Sequence, residues 1–289
     1  MSAPGRPQHR RHAVPVLMYH HVSPSPGMIN ITPGNFERQI AWLAADGWTA
    51  LSTAQFAGHL RGEPVPDKSV LITFDDGYLN NWLYAHPILL RYGMRAALFV
   101  VTGWVHDGPV RQCGQAQADQ AGRLTHRECG QRIQAGACDE VIARWSELQA
   151  MRQAGSFEIH SHTHTHTRWD RQCAGRQEKA AAIAADLQAS RQALVRHLGG
   201  VSEHLCWPQG YFDDDYRQAA QAAGFRYLYT THAFGRNLPG GDPGHIYRFA
   251  VRDRDERWLA QRLRLARHPL WAPLYNRFKA WKKGLKPGA

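Results

Sequence analysis

Apolar and polar positions along the chain fall into short solid runs that alternate with longer periodic stretches. Residues 14–19 form an apolar block of strand length, which leads into His20 and His21 and a loop of Ser, Pro and Gly. Residues 33–46 place Phe36, Ile40 and Leu43 at helical spacing, and Gly47 closes the stretch. A short strand over 48–51 precedes a helix beginning near Thr53. Residues 70–74 then read as a buried strand, 78–92 as a helix and 96–101 as another apolar strand. Beyond a helix over 144–154 come a strand at 157–159 and a long Ala-rich helix over 177–198, ended by Gly199 and Gly200. A strand and turn at 205–211, a helix over 213–223 and short strands at 225–230 and 246–251 follow. Strands alternating with helices of ten to fifteen residues imply parallel βαβ units, so the expected class is α/β.

Two stretches break this rhythm. Residues 103–140 are rich in Gly, Gln, Arg and Cys with little periodicity, and a loop of that length in a compact domain is usually functional or mobile. Cys113, Cys129 and Cys138 with His126 invite a zinc-site reading, but no CxxC pair is present, so a lid over an active-site mouth is the expectation. At the other end, Leu274, Phe278, Trp281 and Leu285 recur at steps of four, three and four, with Lys279, Lys282, Lys283 and Lys286 on the other faces. Such a basic amphipathic helix can lie on an anionic membrane, or it can pack its stripe on the domain, the commoner fate.

Composition narrows the class. The chain has 289 residues and an apolar fraction of 43%, enough for one large core, and no apolar run reaches the roughly 18 residues of a membrane span. Residues 1–13 are expected to be a basic disordered segment, 14–254 the folded domain with its insertion at 103–140, and 255–289 a helical tail. The block at 14–18 is too short for a secretory signal, and five cysteines at irregular spacing are no disulfide framework. The expectation is therefore a cytoplasmic protein, peripheral at the inner membrane face if the tail binds there. Of the net charge of +11, nine units fall in the last 42 residues, where eight Arg and four Lys face Asp253, Asp255 and Glu256. Nucleic-acid binding would fit that charge, but no recognisable motif accompanies it, and none is expected.

The candidate chemistry sits where predicted strands end. The run at 70–74 stops at the adjacent carboxylates Asp75 and Asp76 and then Gly77. A helix N-cap explains one Asp but not two. The strand at 157–159 runs into His160, His162, His164 and His166 at alternate positions, a metal-binding composition. In α/β folds the C-terminal strand ends form the reaction face. One carboxylate and two imidazoles with open positions make a catalytic rather than a closed structural metal set. Such a metal acidifies a water and polarises a carbonyl, so hydrolysis of an amide or ester is the natural reaction.

The motifs resemble a known family. Residues 73–78, Thr-Phe-Asp-Asp-Gly-Tyr, resemble the first motif of the NodB-homology polysaccharide deacetylases, carbohydrate esterase family 4, and residues 161–166, Ser-His-Thr-His-Thr-His, resemble the second. Carried over by position, the resemblance implies Asp75 as catalytic base and Asp76, His162 and His166 as metal ligands, with His160 and His164 outside the ligand set. The family's Leu-x-x-His motif has its counterpart at the start of the chain, residues 17–20, as in the circularly permuted branch of poly-N-acetylglucosamine deacetylases. This implies His20 as general acid, with His21 the weaker choice. The third motif, Arg-x-Pro-Tyr, departs and reads Cys-Trp-Pro-Gln at 206–209. The backbone N–H of Gln209 is still expected to serve an oxyanion hole, and Arg248 is the expected replacement for the missing Arg that orients Asp75.

The fold so implied is a distorted (β/α) barrel with fewer than eight full units, spanning about residues 14–251. The function is metal-dependent removal of acetyl groups from N-acetylated amino sugars of a carbohydrate substrate, with zinc the expected metal and cobalt or nickel as alternatives. A cytoplasmic, lipid-linked glycan precursor is the favoured substrate. The rival readings are a hydrolase of the same fold acting on another amide or O-acetyl ester, and a degenerate glycan-binding module without catalysis.

Overall fold

The computed structural model describes residues 12–112, 120 and 122–282. Cys113, Leu285, Lys283, Lys286 and nearly all of the N-terminal basic segment lie outside the described residues. The strands are β1 (Val16–Tyr19), β2 (His21–Val22), β3 (Asn30–Ile31), β4 (Thr49–Ala50), β5 (Ser69–Phe74), β6 (Ala96–Val100), β7 (Phe157–Ser161), β8 (His204–Cys206), β9 (Tyr227–Tyr229) and β10 (Phe249–Ala250). They form a parallel sheet in the order β10-β1-β5-β6-β7-β8-β9, with β4 beside the start of β5, while β2 and β3 pair separately. Ile246 bridges Tyr229 in parallel, and three residues later the same segment pairs as β10 with β1. The sheet therefore curls until its edges meet, a distorted (β/α) barrel of seven strands.

Alternation along the strands sorts their side chains. Val16, Leu71, Ala97, Phe99, Cys206 and Tyr229 join one apolar cluster inside the ring, whereas Leu17, Ile72, Phe74, Leu98 and Val100 join another beneath the helices. Strands buried on both faces read as continuous apolar runs, which is why β5 was so visible in the sequence. The helices are α1 (Pro33–Ala45), α2 (Thr53–Arg61), α3 (His86–Arg91), α4 (His126–Gln134), α5 (Trp145–Gln153), α6 (Trp169–Gln172), α7 (Arg176–Leu198), α8 (Asp214–Ala222), α9 (Glu256–Arg267) and α10 (Trp271–Lys282).

Two expectations need correction. The helix expected over 78–92 begins instead as a π-turn at Asn81–Ala85, where His86 N–H reaches back to Asn81 O, and only then becomes α3. Pro87 has no N–H to offer a regular helical ladder, and the widened turn accommodates it. The strand expected over 157–159 extends through Ser161, so His160 belongs to the sheet. The insertion gives no support to the zinc reading among the described residues. The thiols of Cys129 and Cys138 approach separate carbonyls, Leu124 O and Ile133 O, and His126 hydrogen-bonds to His21 and Tyr78. The insertion is fastened to the domain by Arg111, whose guanidinium makes two hydrogen bonds to the buried Glu147 carboxylate and whose backbone N–H makes a third, and which also reaches Asp139 O and Ile142 O.

Candidate active site

The site is built where β5 ends. Asp76 takes a left-handed φ of 73° and Gly77 one of 85°, which breaks the strand's alternation and lets two consecutive carboxylates serve different places. A non-glycine residue held there costs on the order of 1–3 kcal/mol, tolerated where the surroundings over-determine it. Gly77 is required twice over, because a Cβ at this position would also lie 3.1 Å from the Val100 side chain.

Asp76 faces the histidine loop that follows β7. Its Oδ1 lies 3.3 Å from His162 Nε2 and 3.6 Å from His166 Nε2. The other nitrogen of His162, Nδ1, is 2.8 Å from Cys206 O, so Nδ1 carries a hydrogen. Burial would lower this imidazole, but Cys206 and the hydrogen bond to Asp76 outweigh it and hold it well above the usual histidine value, so that Nε2–H donates to Asp76 until a cation takes its place. Burial pushes His166 down to about 4 despite the nearby Asp76, while Asp76, whose burial alone would raise it, is held well below the usual carboxylate range by His162 and His166. Two imidazoles and an ionised carboxylate, converging within 4.8 Å, fit a divalent cation, whose binding would displace the His162 Nε2 proton. Asp75, His162 and Cys206 converge equally closely. That second trio is the poorer set, because burial raises the Cys206 thiol and both Asp75 oxygens are already engaged.

Asp75 points to Arg248, which enters the ring just before β10. Arg248 donates from Nη1 to Oδ1 at 2.7 Å and from Nη2 to Oδ2 at 2.8 Å, a bidentate pair with both groups buried. The guanidinium is fixed in turn by Thr230 O and Thr73 Oγ1, and Cys206 Sγ lies 3.0 Å from Nη2. Burial would raise the Asp75 carboxyl, but the Arg248 charge and hydrogen bonds outweigh it and hold it low. His20, directly after β1, places Nε2 3.7 Å from Asp75 Oδ2, and its burial lowers it against the pull of Asp75 and Asp76.

The family of deacetylases whose description is "Polysaccharide deacetylase" matches over residues 62–228, more than half of the chain. The chain belongs to the polysaccharide deacetylase family. Members of this family are hydrolases of carbon–nitrogen bonds other than peptide bonds. Over 89 residues the chain is 38% identical to a putative polysaccharide deacetylase YxkH of Bacillus subtilis, covering 30% of this chain and 32% of that one. Over 78 residues it is 35% identical to poly-beta-1,6-N-acetyl-D-glucosamine N-deacetylase of Escherichia coli, 27% of this chain and 12% of that one. A Staphylococcus aureus protein of the same name is 23% identical over 203 residues, 70% of this chain and 61% of that one. The matches thus span less than two thirds of these relatives. Among solved structures, Streptococcus pyogenes deacetylase PplD superposes with a TM-score of 0.68 at 20% identity, over 90% of this chain and all of that one. IcaB from Ammonifex degensii does so at 0.68 and 23%, over 91% and 97%. Both share the fold of this chain.

The remaining histidines of the tract, and His21, separate from the site. His160 lies inside β7 with Nδ1 on Ser202 Oγ, and His164 turns to Thr102 Oγ1. His21 is buried, stacked on Tyr78, with Nδ1 on Asn80 and Nε2 on His126, so both nitrogens are occupied. Gln209 lies past β8 with a left-handed φ of 56°, and its side-chain oxygen accepts from Arg168.

One supporting residue was not read from the sequence. Asp186 of α7 is buried, and its Oδ1 accepts the backbone N–H of His164 and of Thr165, while Oδ2 accepts from Trp169 Nε1. Four residues on, Ser190 hydrogen-bonds Ser161. The signal was a pair of polar positions on the helix face that also carries Ile183, Leu187 and Leu194. Asp186→Ala is expected to weaken divalent-metal affinity by about 10- to 100-fold, because the loop carrying His166 loses two of its backbone anchors. Calorimetric titration with the circular dichroism unchanged would read this; unaltered affinity would show that the loop holds its shape alone.

Proposed function

We propose that the protein is a metal-dependent de-N-acetylase that removes acetyl groups from N-acetylglucosamine residues of a glycan, and that the metal is zinc, with cobalt or nickel able to substitute. The observation that carries this reading is the division of labour between adjacent carboxylates: Asp76 with His162 and His166, Asp75 with Arg248 and His20. The bound cation would supply a Lewis acid and an acidified water. Asp76, His162 and His166 hold it. Asp75, fixed in position by Arg248, takes the proton of the attacking water. His20 hands a proton to the amide nitrogen as its bond to the acetyl carbon breaks, releasing the amine and acetate. The backbone N–H of Gln209 stabilises the oxyanion.

The choice of sugar is supported by the relatives named poly-beta-1,6-N-acetyl-D-glucosamine N-deacetylases, and the amide over an ester by the same names. His162→Ala tests the ligand set. The variant is expected to lose both bound metal, by elemental analysis, and acetate release. A fully metallated His162→Ala protein would overturn the assignment, and a substrate panel in which O-acetyl esters outrun N-acetyl sugars would replace the amide with an ester.

A further inference from the structure

The C-terminal helix does not pack its aromatic stripe on the described part of the domain. Nine large apolar side chains are exposed among the described residues, and five of them lie between Leu270 and Trp281. Trp271, Leu274, Phe278 and Trp281 are 62%, 57%, 55% and 75% exposed. At 100° per residue these four fall in an arc of about 80°. Arg277 borders one edge of the arc and Lys282 the other. The helix attaches by its opposite face: Ala272 and Ala280 are buried, Asn276 donates to Gly235 O, and Tyr275 accepts from Arg262 of α9. A small cavity lined by Ala13, Val14, Ala272 and Tyr275 places this attachment beside the start of β1, whereas His20 follows the other end of that strand.

We propose that α10 is an interfacial anchor that lays its Trp271, Leu274, Phe278 and Trp281 face into an anionic phospholipid bilayer, with the flanking cations at headgroup level. Aromatic and aliphatic side chains bordered by Arg and Lys are the composition of helices that lie in the plane of the interface. Long cationic side chains at the edges of such a stripe reach the headgroups while the apolar face sits deeper. Anionic lipid complements the charge, since nine units of the chain's net charge of +11 fall in the last 42 residues. A second copy would set the same cations against each other. Among the described residues no helix is long and apolar enough to cross a membrane, and the 12 residues of α10 are shorter than the roughly 20 a span needs.

The test is cosedimentation of the full chain with vesicles of phosphatidylcholine alone and of phosphatidylcholine mixed with phosphatidylglycerol. Binding to the mixed vesicles is expected, and about tenfold or more weaker binding to phosphatidylcholine alone. Phe278→Glu with Trp281→Glu should reduce binding more than about tenfold. Arg277→Gln with Lys282→Gln should reduce it roughly 30-fold on anionic vesicles. Neither pair should alter acetate release from soluble oligosaccharides, so failure here leaves the catalytic reading standing. Absent binding, equal binding to both vesicles, or binding indifferent to these variants would overturn the proposal. So would a concentration-dependent dimer abolished by Phe278→Glu with Trp281→Glu, which would identify a second copy as the occupant.

Discussion

Asp75→Asn is expected to lower turnover by about 10²- to 10⁴-fold while the protein keeps its metal. The substitution preserves the shape of the side chain, leaves Asp76, His162 and His166 untouched, and removes the group that takes the proton. It also leaves the buried Arg248 guanidinium against a neutral partner, so the variant must be less stable as well. Turnover should therefore be compared well below the melting transition, with metal content measured on the same sample. Wild-type-like turnover would remove Asp75 from the role of base. Loss of metal together with turnover would instead place Asp75 in the ligand set, the arrangement that its approach to His162 and Cys206 offers as the alternative.

The largest stability effect is expected at the other end of that pair. Arg248→Met keeps most of the side-chain volume and leaves Asp75 buried with a charge and no bidentate partner. Breaking a buried, hydrogen-bonded pair from one side costs about 3–5 kcal/mol. For a chain of this size that corresponds to a fall of roughly 10 °C in Tm. The acid Asp75 should also ionise less readily, so activity is expected to fall and its lower pH limit to move upward. Combining Asp75→Asn with Arg248→Met removes both charges, and the double variant is expected to be more stable than the sum of the single losses. An unchanged Tm in Arg248→Met, or strict additivity, would show that the pair is not made in solution.

Much of this site was legible because it follows the chain. The apolar run of β5 is continuous, its end is marked by Asp75, Asp76 and Gly77, and the alternating histidines begin in the last residues of β7 and continue past its end. Spacing alone did not separate His162 and His166 from His160 and His164. That separation comes from where β7 ends and from the left-handed turns at Thr163 and His166, which no periodicity records.

What crosses the fold was harder to read. Arg248 meets a carboxylate 173 positions away, and the two approach only because residues 246–250 join the edges of the sheet. Asp186 looked like one polar residue in an Ala-rich helix, and its work on the histidine loop depends on how α7 lies against β7. The tail shows the same limit from the other side. A 4-3-4 spacing states which residues share a face, but not whether a neighbour covers that face. In the fold it is Ala272 and Ala280 that meet the domain, and the aromatic stripe that does not.

The measurement that bears most directly on the proposed function is acetate release by the purified protein from N-acetylglucosamine oligomers, made with a chelator present and then with Zn²⁺, Co²⁺ or Ni²⁺ restored. Release that disappears with the chelator and returns with the cation is the predicted result. Release that continues in the metal-stripped protein, or none from a protein shown to hold its metal, would contradict it.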